Sequence, residues 1–196
     1  MFAYIKGELT KKNPAFVVLE NSGIGYYINI SLNCYSKIQN EKNVLLHVHQ
    51  QITEDAHTLY GFADESEKVL FQQLISVSGV GCSTARMILS SIQPNEIQQA
   101  IIQENEKLLE KIKGIGPKTA KRMILELKDK MLKTADLKNI PANHFAYNNI
   151  QNEALSALTA LGFSKVQADN AISKITKQKP DINTVEVLIK EALKAM

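Results

Sequence analysis

The chain contains one pattern twice, as LISVSGVGCSTAR at residues 74–86 and as LEKIKGIGPKTAK at residues 109–121. The copies are offset by 35 residues, and the leucine, both glycines, the threonine and the alanine recur at matching positions. Apolar residues at helical spacing flank each copy. A Gly-x-Gly between two helices is typical of a tight hairpin, because glycine reaches positive φ without the cost of a Cβ. The repeat therefore predicts two helix-hairpin-helix elements in tandem.

Each hairpin predicts a binding site for a phosphate group. The helix after it begins with N–H groups that have no helical partner and with the positive end of the helix dipole. Such a helix end binds an anion without any side chain, and a phosphodiester fits it. Thr84 and Thr119 can cap the helix or donate to a phosphate oxygen, and Lys118 adds a positive charge. Contacts of this kind ignore bases, so we expect nucleic-acid binding without sequence preference.

The distribution of charge fits a polyanionic partner. The 196-residue chain has a formal net charge of +3, with 44% hydrophobic and 22% charged residues, which is ordinary for a globular protein. Residues 107–133, which include the second copy, hold nine Lys or Arg and three Asp or Glu. Nucleic acid requires such a concentration of positive charge, although a solvated helix face is the plainer alternative.

A nucleotide-binding loop is the competing interpretation of the second copy. The segment Gly116-Pro117-Lys118-Thr119 is similar to part of a P-loop, which requires glycine directly before the lysine and another glycine at 111–113. Neither glycine is present, because Pro117 precedes the lysine and Lys111-Ile112-Lys113 occupies the other position. The sequence therefore predicts no ATPase site here.

The histidines and cysteines predict no metal site and no cofactor. His47, His49 and His57 lie close in sequence, but no carboxylate or cysteine supports them at ligand spacing. The two cysteines, Cys34 and Cys82, are too few for a disulfide framework or a four-cysteine zinc site. Cys82 lies near a helix N-terminus, where a thiol can become reactive, although packing as a small inert residue is the favoured interpretation.

The first 62 residues predict a small β-barrel. Short segments rich in β-branched and aromatic residues are separated by turn formers such as Asn13-Pro14 and Asn21-Ser22-Gly23. The five predicted strands are residues 4–9, 15–20, 25–30, 44–49 and 57–62. Closure of the sheet removes exposed edges, and either an oligonucleotide-binding (OB) type barrel or a small SH3-like barrel fits this count.

The rest of the chain is predicted to be helical, which gives an α+β multidomain organisation. Apolar residues at helical spacing run from Asp64 to about Leu132 and resume at Ile150. No segment approaches the about 18 apolar residues of a membrane helix, and the start is no signal peptide, so a cytoplasmic location without membrane contact is expected. The predicted domains are an OB-type barrel at 1–63, a tandem helix-hairpin-helix domain at 64–133, a flexible linker at 134–149 and a three-helix domain at 150–196, with helices at about 150–161, 165–176 and 183–195.

The motifs together resemble the RuvA family. Ser78-Gly79-Val80-Gly81 and Lys113-Gly114-Ile115-Gly116 resemble its helix-hairpin-helix motifs, and the resemblance continues in Tyr4-Ile5-Lys6-Gly7, in EDAHTLYGF at 54–62 and in Ala160-Leu161-Gly162-Phe163. That family is the Holliday-junction-binding subunit of the bacterial branch-migration machinery. The resemblance implies a non-catalytic homotetramer, alone or as paired tetramers, that holds a four-way junction open in recombination and repair. It also implies two protein partners, the hexameric ATPase RuvB and the resolvase RuvC.

The resemblance assigns the residues that contact DNA. In the first copy they are Gly79, Val80, Gly81, Ser83 and Thr84, with Arg86 as the nearest cation; in the second they are Gly114, Ile115, Gly116, Lys118, Thr119 and Arg122. The first copy departs from the family pattern, because Cys82-Ser83 stands where the second copy has Pro117-Lys118. It therefore lacks that lysine, and we expect it to rely more on its backbone amides.

Two further groups of residues receive roles from the resemblance. Glu54 and Asp55 match acidic residues that form a pin at the junction centre, where they would repel phosphates and keep the arms apart. From the residues alone, two acids in a hairpin are simply turn residues. Leu158, Leu161 and Leu193 match positions that dock RuvB. From their spacing alone, these leucines form a minimal three-helix core.

A DNA repair enzyme remains the alternative function. Helix-hairpin-helix motifs also occur in glycosylases and lyases in which a Lys or Asp after the hairpin acts on the substrate. Asp129 and Asp136 are the candidates by position, but Asp129 lies in a charged helical run. No aromatic-lined pocket for a flipped base is evident, since the chain has no tryptophan.

Overall fold

The structure is a computed structural model that describes residues 2–136, 142–179, 182 and 184–195. The contacts within it divide the chain into two compact units, residues 1–134 and residues 135–196. In the described part of the chain, no helix combines the length and the apolar character that are needed to cross a bilayer.

The first unit begins with a closed five-stranded barrel. Its strands are β1 (Tyr4–Asn13), β2 (Phe16–Asn21), β3 (Ile24–Ile30), β4 (Asn43–Ile52) and β5 (His57–Phe62). They follow the order β1-β2-β3-β5-β4, in which β3 pairs with β5 in parallel and β1 pairs with β4 antiparallel to close the barrel. This arrangement is the Greek-key barrel of the OB fold. The predicted OB-type barrel is confirmed, and the SH3-like alternative is not.

A short helix that the sequence pattern did not predict completes the barrel. This helix, α1 (Leu32–Ile38), follows β3 directly, and the hydroxyl of Ser31 caps it by accepting the N–H of Cys34. Cys34 and Ile38 join the inward-facing strand residues in the barrel core. Two helical turns are too few to show a clear period, so the sequence between β3 and β4 carries no recognisable helix signal.

Five helices follow the barrel and enclose one hydrophobic core. They are α2 (Glu65–Ile75), α3 (Cys82–Ser91), α4 (Pro94–Ile102), α5 (Glu106–Glu110) and α6 (Pro117–Asp136). Tyr60 and Phe62 of the barrel belong to the same buried cluster as the helical core residues. The ring of Phe71 on α2 lies 5.3 Å from Tyr60 and 4.9 Å from Phe62 between ring centroids. Aromatic packing therefore joins the barrel to the helices that carry the hairpins.

The described residues of the second unit include three further helices, α7 (Ala142–Ala160), α8 (Lys165–Gln178) and α9 (Val185–Ala195). Their core contains Ala154, Leu158, Ile172 and Leu188. Ser164 and Gln167 form a reciprocal capping box that starts α8. Of the range predicted as a linker, 134–136 and 142–149 are helical, and residues 137–141 lie outside the described residues. The flexible linker and the exact domain boundaries stay predictions.

Candidate nucleic-acid interface

The two glycine hairpins have the same backbone geometry. In each, the apolar residue between the glycines, Val80 or Ile115, donates its N–H to the carbonyl three residues earlier at 3.0 Å. The third residue of each turn is glycine with positive φ, 92° at Gly79 and 94° at Gly114. This region favours glycine, because a Cβ would be strained there. Both predicted hairpins are therefore present, one between α2 and α3 and the other between α5 and α6.

The second glycine of each hairpin differs from the first in why glycine is suited to its position. Gly81 has a φ of −85°, which any residue can adopt, so its backbone conformation does not require glycine. A Cβ built on any of the four hairpin glycines would meet no heavy atom within 4 Å. The space outside both hairpins is therefore open, and the absence of side chains lets a ligand approach the backbone closely.

The helices after the hairpins present free N–H groups beside these glycines. The first helical bond of α3 runs from the N–H of Ala85 to Gly81 at 2.9 Å, and the matching bond of α6 runs from Ala120 to Gly116 at 2.9 Å. Gly81 is the N-cap of α3 and has no side chain with which to cap it. Val80 and Ile115 are buried in the core below. Backbone donors on a rigid support are the arrangement that phosphate binding requires.

The cations near the two hairpins differ in their surroundings. Lys118, at the start of α6, is exposed and has no hydrogen-bond or ion-pair partner among the described residues. Lys121 lies 3.9 Å from a carboxylate oxygen of Glu106. Ser83 is exposed at the corresponding end of α3, whereas Thr84 and Thr119 are half-buried. The second hairpin therefore carries a lysine free to meet a phosphate, and the first does not.

The two arginines assigned to DNA contact bind protein groups in this structure. Arg86 Nη1 donates to the carbonyl of Ala15 at 3.1 Å and to Asn29 Oδ1 at 2.9 Å, both in the barrel. Arg122 Nη1 donates to the carbonyl of Ser78, in the first hairpin, at 3.2 Å. The sequence predicted neither contact, because the acceptors lie far from the arginines along the chain.

The two acidic residues assigned to a pin lie in the turn between β4 and β5. The N–H of Thr53 donates to the carbonyl of Ala56 at 2.9 Å, and the Thr53 hydroxyl donates to the same oxygen at 3.1 Å. These bonds close the turn around Glu54 and Asp55, whose side chains are both exposed. The turn thus carries two solvated carboxylates at the tip of a hairpin of the barrel.

A buried carboxyl group on α2 contributes a second link to the barrel. Glu67 is 1% exposed, and its Oε1 accepts the hydroxyl of Ser31 at 2.6 Å. Burial raises the pKa of the Glu67 carboxyl, and the Ser31 hydrogen bond opposes that change. The motifs of the sequence do not single out Glu67, although a signal for its burial is present. Glu67 lies three, four and seven residues before Leu70, Phe71 and Leu74, on the apolar face of α2.

Of the cysteine and histidine candidates, Cys82 and His49 lie against packed side chains, whereas His57 is exposed. Cys82 is buried, and burial raises the pKa of its thiol, which fits the interpretation of an inert packed residue. The His49 ring lies 5.4 Å from that of Phe71. Burial, and then the charge of Lys68, lowers the pKa of His49. Among the described residues, no three His, Cys, Asp or Glu side chains are grouped to hold a metal ion.

The three leucines assigned to partner docking occupy different environments in the second unit. Leu158 is 0% exposed and belongs to the core, whereas Leu161 is 63% and Leu193 40% exposed. Leu193 also lines a surface groove of about 480 Å³ together with Phe163 and Ala171. Of these three leucines, Leu161 and Leu193 are accessible on the surface and Leu158 is not.

Of the two aspartates named for the enzyme alternative, the structure describes the side chain of Asp129. Asp129 is exposed on α6. The side chain of Asp136 lies outside the described side chains. The structure therefore gives the glycosylase or lyase interpretation no support.

Three family models match the chain one after another, and each match corresponds to one of the parts described above. The RuvA N terminal domain matches residues 1–61, which form the barrel. A SAM-like Helix-hairpin-helix tandem matches residues 71–129, which include both hairpins. The RuvA C-terminal domain matches residues 149–196, within the three-helix unit. The matches thus cover the barrel, the hairpins and the second unit.

Curated relatives match the chain over its whole length. A protein of Christiangramia forsetii is 50% identical over 196 residues, which is 100% of both chains. One from Cytophaga hutchinsonii is 47% identical over 197 residues, 99% of each chain, and one from Bacteroides fragilis is 47% identical over 202 residues, 100% of each chain. All three are named "Holliday junction branch migration complex subunit RuvA". With this identity across the barrel, both hairpins and the three-helix unit, the chain belongs to the RuvA family.

Proposed function

We propose that the chain binds four-way (Holliday) DNA junctions without sequence preference, as the non-catalytic DNA-binding subunit of a branch-migration complex. The observation that carries this proposal is the matching pair of hairpins, each with a positive-φ glycine and open space above its backbone. The names of its relatives support a junction as the ligand. The relatives and the exposed position of Asp129 do not favour the repair-enzyme alternative.

In this proposal the hairpins bind the sugar–phosphate backbone. The contacts are the open backbone at Gly79, Val80 and Gly81 with Ser83 and Thr84, and at Gly114, Ile115 and Gly116 with Lys118 and Thr119. Arg122 is exposed and uses one nitrogen for Ser78, so its other N–H groups remain available to a phosphate. Contacts that are mainly to phosphates position DNA but carry no sequence information.

A gel-shift comparison of a synthetic four-way junction with a linear duplex of the same arm sequence tests the proposal. We expect the junction to be preferred, its Kd to rise steeply with salt and both DNAs to remain uncut. Incubation with a duplex that contains mixed base lesions provides the second arm. Equal affinity for junction and duplex, or strand cleavage in the second arm, would contradict the proposal.

The acidic turn supplies the preference for junctions in this account. Its two carboxylates are exposed at the tip of a barrel hairpin, where they can repel phosphates. Around the axis of a homotetramer, four such turns would meet at the crossover, keep the arms apart and oppose incorrect docking of a continuous duplex. We therefore propose Glu54 and Asp55 as the acidic pin.

Neutralising the acidic turn should remove selectivity without removing affinity. We expect Glu54→Gln with Asp55→Asn to keep duplex affinity and to lower the junction-over-duplex ratio about tenfold, because like-charge repulsion of a wrongly docked duplex is lost. The control, Glu153→Gln with Asp169→Asn, removes two exposed acids from the second unit. A competition gel shift measures the ratio. An unchanged ratio in the first variant would contradict the proposed role of Glu54 and Asp55 as an acidic pin.

Loss of the free lysine should weaken binding equally for all sequences. We expect Lys118→Ala to raise the Kd about threefold to tenfold and to lower the slope of log K against log salt by roughly one, since one phosphate contact is lost. Lys6→Ala, which removes an exposed lysine from β1, is the control and should leave the slope unchanged. A loss of affinity that depends on base sequence would argue against recognition of the DNA backbone.

We also propose the assembly that the family implies. The chain forms a homotetramer, alone or as paired tetramers, and it works with the hexameric ATPase RuvB and the resolvase RuvC in the cytoplasm. Exposed Leu161 and Leu193 support a docking surface for RuvB on the second unit, while Leu158 contributes through the core. The second unit is compact by itself, which supports a separate role for it in recruiting the motor. Light scattering of the free protein and of its junction complex measures the number of subunits.

A further inference from the structure

The chain contains only two arginines, and both donate hydrogen bonds to acceptors of the protein itself. Arg86 donates from Nη1 to the Ala15 carbonyl at 3.1 Å and to Asn29 Oδ1 at 2.9 Å. Arg122 donates to Ser78 in the hairpin itself, at 3.2 Å. Arg122 thus contacts the hairpin that lacks a lysine, and Arg86 lies in the helix that follows this hairpin.

The Arg86 contacts attach the start of α3 to the barrel. Arg86 lies one turn after the free N–H groups of this helix and is half-buried. Its acceptors are Ala15, between β1 and β2, and Asn29 in β3. The end of α3 is attached separately, because the N–H of Leu32 donates to the Ser90 hydroxyl at 3.1 Å. Helix α3 is therefore attached to the barrel near its start and near its end. Arg86 makes the attachment near the hairpin.

We propose that Arg86 is a positioning residue that fixes the first hairpin relative to the barrel and its acidic turn, and that it does not contact phosphate. This inference rests on the proposed function, in which the hairpin binds a DNA arm and the turn meets the crossover. A junction is preferred only if these two sites are held at the spacing of the DNA. An arginine suits this purpose, since its planar group donates to two acceptors in a fixed geometry.

The acceptor side of the contact allows a test that leaves the charge of Arg86 in place. Asn29→Ala removes the side-chain acceptor. Asn29→Asp keeps an oxygen there, but like Asn29→Ala it loses the bond from Asn29 Nδ2 to the Leu59 carbonyl, which is 3.3 Å long in the native chain. An effect seen in Asn29→Ala and absent in Asn29→Asp is therefore due to Arg86. Arg86→Met removes the guanidinium and keeps an unbranched apolar side chain.

Hydrogen exchange of the free full-length protein gives a readout that does not depend on DNA. The N–H groups of Val80 and Ala85 are hydrogen bonded within the hairpin and the first turn of α3. We expect them to exchange about tenfold faster in Asn29→Ala and in Arg86→Met, and at the native rate in Asn29→Asp, because losing a bond to a charged donor loosens this segment. Unchanged exchange in Asn29→Ala would overturn the positioning role.

Binding measurements separate positioning from phosphate contact. We expect Asn29→Ala and Arg86→Met to lower the junction-over-duplex ratio about fivefold and to leave the salt slope of duplex binding unchanged. A slope lowered by roughly one in Arg86→Met would identify a phosphate contact and overturn the inference. If the unmodified protein showed no junction preference, the proposed function would fail, and the exchange rates would still decide whether Arg86 positions the hairpin.

Discussion

Replacing Gly79 and Gly114 together by alanine is expected to raise the Kd for a synthetic four-way junction about hundredfold. Both residues have positive φ, 92° and 94°, in a region where an L side chain costs about 1–2 kcal/mol. Open space surrounds each position, so the new methyl group meets no neighbour and the strain comes from the backbone alone. The turns would relax, and the backbone donors beside them would move away from the phosphates.

The expected size follows from the number of sites. A hydrogen bond to a charged group is worth about 1.5–3 kcal/mol, and each chain would lose alignment at two hairpins. A hundredfold change in Kd corresponds to about 2.7 kcal/mol, which is slightly below the about 3 kcal/mol that two such bonds contribute at the low end of their range. Each single variant should show roughly tenfold weaker binding, since the two hairpins act at separate places on the DNA.

A third glycine with positive φ provides the matched control. Gly23 has a φ of 83°, also with no heavy atom within 4 Å of a built Cβ, but it lies in the turn between β2 and β3. Gly23→Ala introduces the same kind of strain in the same unit, and we expect its Kd to stay within twofold of the unmodified chain. If the double hairpin variant bound the junction as tightly as Gly23→Ala does, the hairpin backbone would not be the DNA contact.

Phe71→Ala is expected to lower the free energy of unfolding of the first unit by about 3–5 kcal/mol. The side chain is 0% exposed, and its ring packs against those of His49, Tyr60 and Phe62 on β4 and β5. The substitution removes a large apolar volume and these ring contacts, each of which contributes about 0.5–1.5 kcal/mol. The lost contacts lie between the barrel and α2. The attachment of the hairpins to the barrel should therefore weaken as well.

Tyrosine fluorescence during urea unfolding measures this effect. Five of the six tyrosines lie in residues 1–134, and the chain has no tryptophan, so the signal reports mainly on the first unit. Phe71→Leu, which keeps most of the apolar volume, is the control and should cost about 1–2 kcal/mol. A loss below about 1 kcal/mol in Phe71→Ala would show that the cluster of rings does not join the barrel to the helices.

The sequence predicted the hairpins well because their requirements are local. A turn that needs glycine, followed by a helix that starts with free N–H groups, is determined by adjacent residues, and the repeat supplied two examples. Positive φ is confirmed at Gly79 and Gly114, but Gly81 has a φ of −85°, so its role is to leave the backbone open. The predicted strands are all present, although β1 extends to Asn13 across a bulge between Leu9 and Lys11. A bulge interrupts the alternating pattern from which strand length is read.

Contacts between distant parts of the chain could not be predicted in the same way. Arg86 matches Lys121 in the repeat and therefore looked like a cation available to DNA, yet its acceptors lie 71 and 57 residues away. Glu67 is an acid in the first turn of α2, and nothing near it in the sequence indicates Ser31 as its partner. Periodicity identifies the face of a helix on which a side chain lies, but not which distant element covers that face.

Hydrogen exchange of the full chain with and without a synthetic four-way junction shows whether both hairpins contact DNA. At short labelling times, we expect junction binding to protect the peptides that cover residues 78–85 and 113–120, because phosphates would occupy the free N–H groups of both hairpins. Protection confined to other parts of the chain, with exchange in both of these peptides unchanged, would contradict it.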